Sequence, residues 1–306
     1  MSKRKVVNVA ASVRGRLLRI IRETGEDPNL MWSRYATERL LYRLSVSEHA
    51  NDFVLKGALL FMVRTGRSYR PTVDVDLLGY GEGSADRLLQ VFQELCCLDA
   101  EPDGLVFDPD AVSVAPIRED QAYQGQRVTL TASLGKAQIH VQVDIGFGDV
   151  VTPEAEEVAY PTLLDFPGPR IRAYPFETVI AEKLQAMVVL GIANSRMKDF
   201  YDLYVLARDF AFEGPSLTRA ITATFDRRRT DIPAKTPMAL TDEFARDETK
   251  AIQWTAFVQK SGLEADAPDL PGAVLLLHEF LLTPLEAAAG QRSSPGRWAA
   301  GGPWHP

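Results

Sequence analysis

Two stretches of this chain alternate apolar and polar residues with a period of two, and both carry carboxylates on the polar face. In residues 72–78, Val73, Val75 and Leu77 point one way while Asp74 and Asp76 point the other. In residues 136–147, Ile139, Val141, Val143 and Ile145 form one face, and His140, Gln142 and Asp144 the opposite one. Such strands need a sheet with a core behind it, and the alternation sets Asp74 and Asp76 on the same side, roughly 6–7 Å apart. If the Asp144 strand lies beside them, three carboxylates converge. Like charges packed this way repel and raise one another's pKa unless a cation sits between them. Magnesium, a hard ion that prefers oxygen ligands and bridges to phosphates, supplies that compensation. A D-x-D taken alone is also what any solvated strand face can show.

Around these strands the periodicity is mostly helical. Residues 9–25 and 29–47 read as two leading helices, the first with Val13, Leu17, Ile20 and Ile21 at helical spacing and arginines between them. A short extended segment, 52–56, meets Gly57, which lets the chain turn into a short helix at 58–64. Ser84 caps a helix running to about residue 98. Further strands are expected at 111–117 and 127–133. A Pro-rich linker (Pro161, Pro167, Pro169) then leads to helices at 175–190, 198–209 and 217–227, with more near 241–261 and 271–284. The expected fold class is α+β: a mixed sheet with flanking helices, then a C-terminal helical bundle. The expected domains are 1–165 and 166–290, with 291–306, rich in Gly, Pro and Ser, a disordered tail.

The net charge of −7 is unevenly spread. Residues 1–70 hold fourteen Lys/Arg, Lys3, Arg4 and Lys5 among them, against six acids, so the remainder is strongly acidic. A basic end suits a phosphate backbone, although solvated helix faces give the same count. Cys96 and Cys97 are adjacent, which gives neither a disulfide framework nor metal-ligand spacing. No uninterrupted apolar run approaches the roughly 18 residues needed to span a bilayer. The opening stretch contains Asn8 and ends at Arg14, unlike a signal peptide. A cytoplasmic protein without a membrane role, monomeric by default, is expected.

Some motifs fail on detail. A calcium loop starting at Asp74 would have Leu78 and Ala85 at ligand positions. The Gly79, Gly81 and Gly83 run has the wrong spacing for a dinucleotide loop, and Glu82 would face a pyrophosphate. The four histidines share no metal or catalytic spacing. Two residues in the helical part stand out instead. Lys183 lies in or beside an apolar stripe with Val179, Ile180 and Met187, where a lysine must snorkel, pair or bind an anion. Asp202 sits close to Phe200, Leu203 and Tyr204. The pair is read either as a structural ion pair between packed helices or as a cation on a triphosphate oriented by a carboxylate, with Arg196 and Lys198 adding charge nearby.

Taken in order, residues 53–60 (FVLKGALL), 72–77 (TVDVDL), 141–149 (VQVDIGFGD), 174–184 (YPFETVIAEKL) and 196–204 (RMKDFYDLY) resemble the AbiEii/AbiGii toxin family of nucleotidyltransferases, members of the DNA polymerase β-like superfamily. The resemblance spans about residues 30–210. It implies that Asp74, Asp76 and Asp144 bind magnesium, as two ions, and that Asp144 completes the metal site or activates the attacking hydroxyl. It further implies that Lys56, Gly57 and Ala58 hold the nucleotide, that Lys183 contacts its phosphates, and that Asp202 supports the site. The family often has Gly-Gly or Gly-Ser where this chain has Gly57 and Ala58, and a Ser/Arg-rich lead-in where it has Thr72 and Val73. The implied activity is transfer of a nucleotide from an NTP to RNA, with the tRNA 3′ end as acceptor, by a toxin with a cognate antitoxin. Transfer to a protein or small-molecule hydroxyl and a non-catalytic nucleotide-binding module stay open beside it.

Overall fold

The computed structural model describes residues 8–117 and 125–305; Lys3, Arg4 and Lys5 lie outside the described residues. The chain forms two compact units. One runs to Gly148 and takes in Glu156–Ala173; the other comprises Asp149–Ala155 and the chain from Tyr174 onward. The division therefore falls near residue 173 rather than 165, because the supposed linker contributes two strands to the first unit.

The first unit contains α1 (Val9–Thr24), α2 (Pro28–Ser45), β1 (Phe53–Lys56), α3 (Leu59–Thr65), β2 (Val75–Gly79) and α4 (Ala85–Cys97). β3 (Leu105–Ile117), β4 (Gly125–Leu134), β5 (Ala137–Phe147), β6 (Glu156–Ala159) and β7 (Arg170–Ala173) complete it. Local chemistry sets the helix ends. The Asn8 side chain accepts from the Ala11 amide, and Gly25 closes α1 in the left-handed region. Asp27 accepts from the Asn29 and Leu30 amides with Pro28 at the first helical position, and Ser84 accepts from the Arg87 amide.

The seven strands form one mixed sheet in the order β3-β4-β5-β2-β1-β7-β6. β5 pairs with β2, and β1 with β7, in parallel; the other neighbours are antiparallel. β1 and β2 are central, and Phe53, Val54 and Leu55 are buried on both faces of β1. α2 packs on β5 and β7, and α4 on β3 and β4. The core between helices and sheet takes in Val128, Leu130, Val141, Val143 and Ile145.

β2 is shorter than its alternation suggests. It begins at Val75, leaving Asp74 before the ladder, and Val73 is 51% exposed rather than core-facing. Pairing explains this: β1 leaves the sheet at Gly57 just after Lys56 pairs with Asp76, and the ladder with β5 starts at Val75.

α2 also carries charge into the core. Arg39 Nε donates to Asp103 at 2.9 Å, Arg43 Nη1 donates to the same carboxylate at 2.7 Å, and Arg39 Nη1 donates to the Pro167 carbonyl at 2.7 Å. Glu38 accepts from the Leu163 amide at 2.8 Å and lies 3.7 Å from Arg39 Nη1. Burial raises the Glu38 carboxyl to about 7, opposed by that amide and by Arg39.

The second unit is helical: α5 (Phe176–Leu190), α6 (Met197–Asp209), α7 (Gly214–Arg227), α8 (Asp242–Ala245), α9 (Glu248–Ser261) and α10 (Leu270–Ala288). The helix expected at 241–261 is broken because Asp247 caps a new start, accepting from the Lys250 amide. Residues 149–155 join this unit through Thr178, whose Oγ1 accepts from the Thr152 amide and donates to the Thr152 carbonyl. α10 is long and apolar enough to cross a membrane by length and composition, with a mean hydropathy of 1.3. It packs on α6 and α7, and Leu277, Phe280 and Leu281 on it are buried.

The tail expected to be disordered is ordered through residue 305. β9 (Arg297–Trp298) pairs with β8 (Phe212–Glu213) and β10 (Trp304–His305). Trp298 is fully buried and its Nε1 donates to the Ala207 carbonyl at 2.7 Å; Trp304 Nε1 donates to the Phe280 carbonyl at 3.0 Å. Two tryptophans offer more apolar area than the surrounding Gly, Pro and Ser withhold.

Candidate active site

The parallel β2–β5 register pairs Asp76 with Asp144, and the antiparallel β1–β2 register pairs Asp76 with Lys56. β4 adds Arg127 opposite Asp144. Paired residues share a sheet face, so four charged side chains form a row across four strands, Arg127, Asp144, Asp76 and Lys56, with two cations flanking two carboxylates. Neighbouring strands lie about 4.8 Å apart, which sets the spacing of the two acids. Residues one position away, Val75, Val128 and Val143, are buried on the opposite face. The same alternation that packs the core thus delivers the row.

Gly57 sits against this row. Its φ is +74°, and a Cβ added there would stand 2.6 Å from Asp76 Cγ and 2.8 Å from Asp76 Cβ. Only a residue without a side chain fits, so the backbone of the β1–α3 turn lies directly over the carboxylate. Lys56 reaches over Gly146, where an added Cβ would stand 3.3 Å from its Nζ, a contact that the flexible lysine can relieve. Arg127 grips Asp144 with both arms of its guanidinium: Nε donates to Oδ1 at 2.8 Å and Nη2 to Oδ2 at 2.7 Å.

Of the residues read from sequence, Lys56, Gly57, Asp76 and Asp144 come together in the first unit. Asp74 stands half-exposed just before β2. Ala58 is buried and offers no side-chain cap to α3. The donor set is all carboxylate oxygen, on two adjacent strands, with a glycine giving Asp76 room. That chemistry fits a hard divalent cation.

Lys183 and Asp202 belong to the second unit and meet there. Lys183 Nζ lies 3.0 Å from Asp202 Oδ2 and donates to Asp199 Oδ1 at 2.5 Å. Both carboxylates are buried. Asp199 is the partner that sequence reading missed, although its place three residues before Asp202 puts it on the same helical face. A second ion cluster lies nearby in the fold of this unit: Arg228 donates to Asp149 at 3.0 Å and to Gln185 at 2.9 Å, and lies 3.4 Å from Glu182. Burial and Glu182 push the Tyr174 phenol well above its ordinary value.

Arginines counted as a basic surface fall into two groups. Arg39 and Arg43 are buried on Asp103, while Arg14, Arg19 and Arg22 on α1 and Arg67 after α3 are exposed. A separate cluster of Glu48, His49 and Glu94 brings potential ligand atoms within 4.8 Å of one another. His49 Nε2 already bonds Glu94 at 2.9 Å, so a hydrogen bond accounts for the contact.

Residues 39–274 match the family described as nucleotidyl transferase AbiEii toxin, type IV toxin–antitoxin system. No curated protein matches. Two crystal structures of Helicobacter pylori proteins share the fold. JHP933 is 14% identical with a TM-score of 0.50, over 87% of this chain and 95% of that one. A provisionally assigned nucleotidyltransferase gives the same identity and TM-score, over 87% of this chain and 99% of its own. At such identity the likeness speaks for the fold, and the family match carries the activity. The match covers well over half of the sequence, and the chain belongs to the AbiEii family of nucleotidyltransferase toxins.

Proposed function

We propose that this enzyme transfers a nucleoside monophosphate from an NTP to an RNA acceptor, the tRNA 3′ end, and releases pyrophosphate. The observation that carries the reading is the register of Asp76 with Asp144, with Gly57 seated on Asp76. Asp74, Asp76 and Asp144 would hold magnesium, two ions in the full complex. Held by these residues, it would supply charge neutralisation for the transferring phosphate and the leaving pyrophosphate. The bare backbone at Gly57, with Ala58 and the Lys56 ammonium beside it, lets a triphosphate approach the acids closely. The acceptor hydroxyl oxygen attacks the α-phosphorus in line, and the bond from that phosphorus to the α,β-bridging oxygen breaks. Asp144 takes the hydroxyl proton. Positioning and electrostatics supply most of the acceleration.

Lys183 as a phosphate contact and Asp202 as its support rest on the sequence motifs, and the Asp199–Lys183–Asp202 cluster explains how a lysine can be held in an apolar helix stripe. Exposed arginines on α1 support an RNA substrate, because each phosphate contact releases counterions. The cognate antitoxin is the protein partner, and the working form is a cytoplasmic monomer.

The test incubates the purified protein with magnesium, total tRNA and each α-labelled NTP in turn, with Asp76→Ala alongside. Label on tRNA from one preferred nucleotide, absent in the variant, is the expected result. Label on a protein or small molecule instead would replace the acceptor. Toxicity in cells that survives Asp76→Ala would overturn the catalytic reading.

A further inference from the structure

The charged row contains one contact that a cation site does not need. Arg127 occupies both oxygens of Asp144, a carboxylate read above as a metal ligand. The pair is not required to hold its strands together, since β4 and β5 register over ten residue pairs from Gly125–Gly146 to Leu134–Ala137. Nor is the arginine locked by packing: its side chain is 41% exposed, against 19% for Asp144. A second acceptor lies within its reach. Gln142, two residues before Asp144 on the same strand face, accepts from Arg127 Nε and Nη2, each at 3.2 Å, when its amide oxygen is turned toward the guanidinium. The two N–H groups that grip Asp144 are thus shared with a neutral partner that stays in place if Asp144 turns elsewhere.

We propose that Arg127 is a positioning residue that competes with the divalent cation for Asp144 and is held by Gln142 when the cation binds. The inference rests on the reading of Asp76 and Asp144 as cation ligands. Without a cation, Arg127 and Lys56 on the two flanks offset the two acids and keep the row near neutrality. A divalent ion added between them leaves the site net positive even with Asp74 as a third acid, and the cheapest adjustment is for the half-exposed guanidinium to release an Asp144 oxygen. Lys56, whose ammonium lies over Gly146, flanks the row on the side of Asp76 and so does not contend for Asp144 through its strand neighbour. Arg127 therefore sets the cation concentration at which the site assembles, while Asp76 stays presented by Gly57 throughout.

The test is Mn2+ titration followed by electron paramagnetic resonance of the free ion, on the wild type, Arg127→Met, Arg127→Lys, Gln142→Leu and Asp76→Ala. Arg127→Met is expected to bind Mn2+ about two- to fivefold more tightly, the factor a half-exposed ion pair is worth. Arg127→Lys, which keeps the charge and loses the fork, should fall between Arg127→Met and wild type. Gln142→Leu should bind more weakly, because the displaced arginine has lost its second acceptor. Should Arg127→Met compromise folding, the lysine and leucine variants still decide the matter. Unchanged or weaker binding in both Arg127 variants would overturn the inference and make Arg127 a clamp that presents Asp144. Asp76→Ala binding as tightly as wild type would overturn the cation-site reading itself, and the inference with it.

Discussion

Replacing Gly57 with alanine is the sharpest probe of the cradle, because Gly66 supplies a matched control. Both glycines border α3, at φ +74° and +71°. An added Cβ at Gly66 meets nothing within 4 Å, whereas at Gly57 it meets the Asp76 side chain. A left-handed alanine costs about 1–2 kcal/mol at either position. Rotating χ1 of Asp76 moves its Cγ and oxygens but leaves its Cβ, 2.8 Å from the new methyl, where it was. Relief at Gly57 therefore requires β1 or β2 to shift, adding about 1–2 kcal/mol of overpacking. At 2–4 °C per kcal/mol for a unit of this size, Gly66→Ala should lower Tm by roughly 2–8 °C and Gly57→Ala by about twice that. Function separates them further. A displacement of Asp76 of about 1 Å should cost on the order of 100-fold in nucleotide transfer and weaken Mn2+ binding, while Gly66→Ala keeps both near wild type. The assay is labelled transfer alongside thermal melting with and without Mn2+. Equal transfer by the two variants would refute the claim that Gly57 positions Asp76.

Four further outcomes follow from the charges and the packing. The raised Glu38 carboxyl favours folding when protonated, so its contribution is full below pH 4.5 and is lost as pH rises through 7, by about 3 kcal/mol. Glu38→Gln should therefore gain stability over wild type between pH 5 and 8 in urea titrations; a difference that stays flat with pH would refute this. Lys183→Met removes the ammonium that Asp199 and Asp202 share and should cost the second unit about 3–5 kcal/mol, part of it restored by adding Asp199→Asn. Trp298→Ala should cost about 3–5 kcal/mol and leave Mn2+ binding intact, whereas a spectator tail would show no loss. RNA affinity should fall with salt at a logarithmic slope of about −3, as expected for four phosphate contacts on a single strand.

The part of the site that was legible from sequence was the part written in a period of two. Asp76 and Asp144 announce themselves because valines and isoleucines fix which side of the strand they take. Their adjacency had no local signal: β2 and β5 are far apart in sequence and pair in parallel, so register comes only from the assembled sheet. Arg127 was inside a recognised strand and still escaped notice, because its meaning depends on standing opposite Asp144. β7 was hidden for a different reason. Its four residues, Arg170–Ala173, bury only Ile171 and Ala173, too short a pattern to separate from a loop, yet it flanks β1 at the sheet centre.

Charge was the least legible property, because the same arginine does different work at different depths. Fourteen Lys/Arg in residues 1–70 suggested a broad basic surface. The fold spends Arg39 and Arg43 on Asp103 inside the core and sets Lys56 beside Asp76. Arg34 is paired with Glu26, Arg16 with Asp165 and Arg64 with Glu156. Arg14, Arg19, Arg22 and Arg67 are the exposed arginines among the described residues of this stretch, which is why the salt slope above is set by four contacts and not by fourteen. A helical arginine becomes a core residue when the opposite face of its helix also packs, as on α2, where Tyr35, Arg39 and Arg43 all reach Asp103. Hydrophobic periodicity sees the stripe and not the second face, so a helix buried all round reads as an ordinary basic surface helix until its neighbours are in place.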